Sequence, residues 1–153
     1  QSIQNDLRFR LMEYVKNGGN YVVQYNTNRR VDTKTMAPYP LQLSRDRVTV
    51  EEAAVTFLAP DNHILNTPNK MLTTDFDNWV QERGLYFPNE WDEKYTPILG
   101  WNDPGEELTK GSLLVANHGK GSFIYTGISF FRELPAGVPG AFKLFANIIS
   151  YGK

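Results

Sequence analysis

The stretch Tyr14–Asn26, YVKNGGNYVVQYN, reads as the end of a helix, a Gly-Gly stop and a β-strand. Upstream, Ile3, Leu7, Leu11, Tyr14 and Val15 recur at three- and four-residue spacing, with Arg8, Arg10, Glu13 and Lys16 between them. That spacing puts one apolar face on an amphipathic helix. Asn17-Gly18-Gly19-Asn20 ends it, because a glycine after the last turn takes left-handed backbone without a Cβ penalty. The β-branched and aromatic run Tyr21–Tyr25 then suits a strand covered on both faces, as in a parallel sheet. A helix feeding such a strand normally follows another strand, and only thirteen residues precede Tyr14. The pattern is therefore expected to begin in the middle of a larger sheet.

Downstream, residues 26–38 are polar and irregular and read as a loop at the carboxyl end of that strand. Tyr39–Ser44 reads as a short edge strand, since Pro40 lacks a ladder donor. Residues 48–60 carry two signals: Thr49-x-x-Glu52 resembles a capping box, while Val55–Leu58 has strand character, which is favoured. Thr74 is expected to cap a short helix with Asp75 and Asp77 in its first turn and Phe76, Trp79 and Val80 on its apolar face. Gly84 stops that helix. Residues 85–108 form a long insertion rich in aromatics, prolines and acids, and such insertions are often functional. Leu113–Asn117 and Ser122–Phe130, joined by His118-Gly119-Lys120-Gly121, form a hairpin signal. Phe142, Phe145, Ile148 and Ile149 mark one face of a final helix.

The 153 residues are 41% apolar and 13% aromatic, which suits one packed domain. Sixteen basic and seventeen acidic residues are mixed along the chain, giving a net charge of −1 and no basic stripe for nucleic acid. No apolar run reaches the ~18 residues of a membrane helix. There is no cysteine, which removes disulfides, thiolate metal ligands and a cysteine nucleophile from this chain.

Few residues point to chemistry. His63, near Asp61, and His118, in the hairpin link, lack the paired spacing of a zinc site and read as loop histidines. No Gly-x-Ser-x-Gly elbow supports a serine hydrolase. Gly137–Gly140 precedes the last helix, whose N–H groups attract anions, but a positioning turn is the simpler reading. Arg132 and Glu133 follow the strand of the hairpin, where they either hold a ligand or form a structural ion pair. Trp79, Arg83, Tyr86, Trp91, Tyr95 and Trp101, with Asp92, Asp103, Glu106 and Glu107, combine aromatic faces with carboxylates. That composition suits sugar binding, or glycosidic acid–base work if two carboxylates are correctly separated. The alternative is that the tryptophans pack the insertion and the acids face water.

At DFDNWVQERGLYFP, NDPGE and ANHGKGSFIYTGISFFRELPAGVPGAFKLFANIIS the chain resembles the C-terminal part of bacterial proteins with an N-terminal PIG-L-type (LmbE-like) deacetylase domain. That part is similar to class I glutamine amidotransferases and to ThuA-like proteins of sugar metabolism. The resemblance implies a flavodoxin-like α/β three-layer sandwich over residues 1–153. Its sheet would be mostly parallel with a C-terminal hairpin, N-terminally truncated, with its first strands upstream of Gln1. It also implies a neighbouring deacetylase domain that acts on N-acetylated sugars and holds the zinc, so no cofactor is expected in this chain. A periplasmic or secreted setting belongs to the same implication. Amidotransferase chemistry does not carry over, because its cysteine is absent and Arg132-Glu133 stands roughly where a late His-Glu pair is expected.

The leading expectation is a non-catalytic accessory domain that binds carbohydrate or packs on the catalytic domain. Its candidate residues are Trp79, Arg83, Trp101, Asp103, Arg132 and Glu133. The alternatives are a ThuA-like sugar enzyme using Asp103, Glu106 or His63, and a structural module oligomerising through open sheet edges.

Overall fold

Helix α1 (Ser2–Lys16) ends where the glycines predict, and Gly18 adopts a φ of +113°. The N–H groups of Gly18 and Gly19 return to the carbonyls of Val15 and Tyr14, both at 2.9 Å, which satisfies the last turn. Strand β1 (Asn20–Gln24) follows directly. The computed structural model describes residues 2–27 and 33–153, so the expected loop over 26–38 lies partly outside the described residues. The chain continues through α2 (Thr33–Met36), β2 (Leu41–Val48) and β3 (Val55–Phe57), then 3-10 turns at His63–Leu65 and Thr73–Phe76. Next come β4 (Gly84–Trp91), β5 (Thr96–Pro97), β6 (Leu99–Trp101), β7 (Leu113–His118) and β8 (Gly121–Thr126). Helices α3 (Phe130–Glu133) and α4 (Pro139–Ile149) complete it.

The main sheet runs β1-β8-β7-β5, while β2-β4 and β3-β6 form separate two-stranded sheets. Among the described residues only β1 and β8 pair in parallel; β7–β8, β5–β7, β2–β4 and β3–β6 are all antiparallel. This corrects the expected mostly parallel flavodoxin-like sandwich: the fold is a mixed, strand-rich α/β arrangement. The physical reason lies in the connections. A parallel neighbour needs a crossover of about a dozen residues or more, whereas a tight link forces antiparallel return. Gly119-Lys120 joins β7 to β8 in that way, and the Pro-rich middle of the chain pairs with itself.

The hairpin sheet is covered on both faces, as the apolar run of its strands requires. Leu113, Val115 and Ile124 join Phe76, Trp79, Trp101, Ala141, Leu144 and Ile148 in one core. Their alternate neighbours Leu114, Ala116, Phe123 and Tyr125 pack with Met36, Leu41, Leu43 and Tyr95 in the other.

Two helix faces depart from the periodic reading. On α1, Met12 and Val15 are buried while Ile3, Leu7 and Tyr14 stay exposed. On α4, the inner side is Gly140, Ala141, Leu144, Asn147 and Ile148, with Phe142 and Ile149 half exposed. Nearly every α4 position is apolar, so periodicity could not choose the inward side. The small residues decide it: Gly140 packs against the Asp75 backbone, where a side chain would not fit. The helix expected from Thr74 is only the 3-10 turn Thr73–Phe76, broken by extended Asp77 (ψ 149°) and left-handed Asn78 (φ 61°). Among the described residues no helix is long and apolar enough to cross a membrane.

Candidate functional site

Among the described residues four non-glycines have positive φ, and three of them meet at one place: Tyr25 (48°), Gln81 (62°) and Tyr86 (56°). Left-handed backbone costs an L-residue roughly 1–2 kcal/mol, so each must be held by its surroundings. Tyr25 follows β1, its N–H bonded to the Thr126 carbonyl at 2.8 Å, beyond the carboxyl ends of the parallel pair β1–β8. Residues 80–86 are clamped beside it. Val80 N–H donates to Glu133 Oε2 (2.9 Å), Gln81 N–H to Glu51, Arg83 N–H to the Val48 carbonyl (2.9 Å) and Leu85 N–H to the Gly127 carbonyl (3.1 Å).

The side chains brought together here are both aromatic and polar. Tyr25 meets Tyr86 edge-on at 6.0 Å and Phe131 at 4.6 Å between ring centroids. The Arg132 guanidinium lies 5.1 Å over the Phe131 ring, and its Nε donates to Glu82 Oε1 at 3.0 Å. Its Nη1 donates to Gln81 Oε1, and Ser129 Oγ donates to Glu82 Oε1 at 3.4 Å. Burial first, then the Glu82 carboxylate, pushes the Tyr25 hydroxyl up to about 12, so it stays a protonated donor at neutral pH. Phe131 is half exposed. Beside it opens a cavity of about 490 Å³ lined by Gln24, Tyr25, Phe130, Phe131, Leu134, Pro135 and Phe145.

The residues expected from sequence divide sharply. Arg132 belongs to this cluster. Trp79 and Trp101 do not: at 2% and 0% exposure they are core, and neither presents a face to a sugar. They hold Arg83 between them, its Cζ 5.5 and 5.7 Å from the two rings. The Arg83 head group donates to the carbonyls of Phe76 and Ala53 (2.9 Å for the latter), tying two loops together. Burial pulls its pKa down, and the charge of Glu133 opposes that pull. Glu133 is itself fully buried, and burial raises its pKa. Its Oε1 and Arg83 Nε are both buried without a hydrogen-bond partner. Glu133 is thus an internal clamp on Val80, not a ligand-facing acid.

Asp103 is buried too, and it works as a backbone cap. Its carboxylate accepts from Thr49 N–H (2.9 Å), Thr49 Oγ1 (2.8 Å) and Val50 N–H (2.9 Å). Burial alone would raise its pKa, but these bonds and Arg47 together hold it below the ordinary aspartate value. A depressed carboxylate contributes stability that is complete above the unfolded value and is lost as pH falls through the folded one. Asp103→Asn is expected to cost about 1–3 kcal/mol at pH 7. Urea unfolding from pH 6 to pH 2 should show the wild type losing its advantage over the variant as it acidifies. An advantage that does not change with pH would contradict this role.

His63 is exposed, edge-on to Tyr151 at 5.9 Å, and Glu106 pairs with Arg47 at 3.7 Å on the surface. A second, larger cleft of about 740 Å³ lies between Glu51–Val55 and Thr73–Trp79, with Arg83 at its floor. The carbonyls of Ala53 and Phe76 occupy that guanidinium from the cleft walls. Among the described residues no group of three or more metal-ligating side chains is assembled. Tyr86 stands out in sequence only as one aromatic among many. Tyr25 and Gln81 carry no sequence signal, because a left-handed backbone at a non-glycine residue leaves none, and Glu82 and Phe131 are placed by partners distant in the chain.

No family model matches the chain, and no curated protein matches it. Among solved structures it is similar to the cytoplasmic protein STM3548 from Salmonella typhimurium, with a TM-score of 0.58 and 14% identity over 94% of this chain and 59% of that one. It is also similar to the cytoplasmic protein STM1381 from Salmonella typhimurium LT2 (TM-score 0.56, 13% identity, 97% of this chain and 61% of that one). A β-galactosidase from Bacillus circulans sp. alkalophilus gives a TM-score of 0.53 at 13% identity, over 92% of this chain and 20% of the enzyme. At these identities the likeness is one of fold. The chain spans about three fifths of the first two structures and a fifth of the third.

Proposed function

We propose that this chain is a non-catalytic accessory module of a larger carbohydrate-active protein, and that it binds sugar at the Tyr25–Tyr86–Phe131 cluster. The observation that carries this reading is the half-exposed Phe131 ring, flanked by the partly buried Tyr25 and Tyr86 and covered by Arg132, which binds Glu82 and Gln81. A pyranose has an apolar C–H face and a rim of hydroxyls that both donate and accept. Aromatic rings cover such a face. Arginine offers donors only, a carboxylate acceptors only, and a glutamine amide both, so the three suit a hydroxyl rim. The strained backbone of Tyr25, Gln81 and Tyr86 favours a role for this cluster beyond packing.

The carboxylates weighed for catalysis are committed elsewhere: Asp103 to the Thr49–Val50 backbone and Glu106 to Arg47 on the surface. The β-galactosidase carries a similar fold over a fifth of its length, which supports a module attached to carbohydrate chemistry. The attached catalytic domain implied by the sequence resemblance is a PIG-L-type deacetylase, and the zinc belongs with that domain.

Calorimetric titration with amino-sugar oligomers and with galactosides tests the reading. At least one series should bind the wild type, and Arg132→Ala should weaken it about tenfold or more, the range of a lost charged hydrogen bond. Flat titrations with folded protein, or binding indifferent to Arg132, would remove the basis for this site.

A further inference from the structure

The polar half of the cluster meets an apolar half, and two residues belong to both. Tyr25 and Phe131 touch Glu82 and Arg132 on one side and line the 490 Å³ cavity on the other. The rest of that cavity is Phe130, Leu134, Pro135 and Phe145, with Gln24 as the one polar side chain and no charged one among its lining residues. A cavity of about 150 Å³ holds a benzene ring, so this one has room for an aromatic or short alkyl group. Its size also lies in the ordinary range of small-molecule sites, roughly 300–1,000 Å³. A free monosaccharide would leave it filled with water against six apolar or aromatic side chains.

We infer that the ligand is an amphiphilic glycoside, with its sugar on Gln81, Glu82 and Arg132 and an apolar aglycone in the cavity lined by Phe130, Leu134, Pro135 and Phe145. This rests on the carbohydrate reading above and specifies the ligand class of the same site. The aromatic pair Tyr25–Phe131, 4.6 Å apart, is the border between the two halves. The glycosidic oxygen lies over that border, because it is the atom that joins a hydroxyl-rich ring to an apolar group. Arg132 is poised for this division: its guanidinium covers Phe131 while its Nε and Nη1 are turned to Glu82 and Gln81.

The test compares methyl and 4-nitrophenyl β-glycosides of glucose, galactose and N-acetylglucosamine by calorimetry on the folded chain. For whichever sugar binds, the nitrophenyl member should bind at least about tenfold more tightly, as burial of one aromatic ring implies. Leu134→Asp places a charge in the cavity and should abolish that gain while leaving the methyl glycoside unchanged. Pro135→Asp, at an exposed position, provides the same readout should Leu134→Asp fail to fold. Equal affinity of methyl and nitrophenyl members would overturn the aglycone site and leave the carbohydrate reading standing. A nitrophenyl gain that survives both aspartate variants would also overturn it, since the ring would then lie elsewhere. Binding by neither member would overturn the carbohydrate reading itself, and this inference with it.

Discussion

Arg83→Met is expected to lower the unfolding free energy by about 2–6 kcal/mol, because two backbone carbonyls lose their donor inside the core at about 1–3 kcal/mol each. The guanidinium is 3% exposed, lies between Trp79 and Trp101, and bridges the carbonyls of Ala53 and Phe76. Methionine keeps most of the stem volume but leaves both carbonyls unpaired and removes the cation that opposes Glu133. A paired change separates these contributions. Arg83→Met with Glu133→Leu should recover part of the loss, because no buried carboxylate is then left without its counter-charge. The unpaired carbonyls and the freed Val80 N–H keep the recovery incomplete. A urea midpoint for Arg83→Met close to wild type would show that the buried guanidinium carries no such burden.

The second large effect is expected at Gly140. A Cβ built there sits 1.6 Å from the Asp75 carbonyl oxygen and 2.5 Å from its carbon, so α4 would have to move away. That backbone has little freedom to yield. The Asp75 carboxylate accepts from Leu72 N–H (2.7 Å) and from Lys143 Nζ (2.8 Å), and its carbonyl accepts from Trp79 Nε1 (2.9 Å). Gly140→Ala should therefore cost about 3 kcal/mol or more, the upper end of overpacking. Gly105→Ala is the reference. It has φ +83° and open space around it, so only the backbone penalty of roughly 1–2 kcal/mol applies. Thermal unfolding of the two variants should rank them in that order, and the reverse order would refute the close approach of α4 to Asp75.

The local elements of the fold were legible wherever glycine and periodicity act over a few residues. The α1 stop at Gly18, strand β1, the β7–β8 hairpin, strand β3 and helix α4 all lie close to where the pattern puts them. What the pattern could not supply was which strands pair. The order β1-β8-β7-β5 joins residues a hundred positions apart, and β2 and β4 pair through three register shifts. Bulges of that kind leave no clear alternation to read.

The candidate site shows the same limit from another side. Trp79 and Trp101 are good sugar-binding residue types, yet exposure cannot be read from residue type, and here both belong to the core around Arg83. The reverse happened at Tyr25 and Tyr86. Ordinary tyrosines in a strand end and an insertion stand edge-on to each other at 6.0 Å, both on left-handed backbone, which no residue pattern announces. Arg132 was legible because it follows a strand directly. Its partner Glu82 was not, being fifty positions away.

An amide chemical-shift titration of the isotopically labelled chain with the tightest-binding glycoside addresses the proposed sugar site most directly. Shifts should concentrate on residues 24–26, 81–86 and 129–135, with the Arg132 side-chain Nε–H among the most displaced signals. Shifts confined to the Glu51–Trp79 cleft, or scattered without focus at saturating ligand, would contradict it.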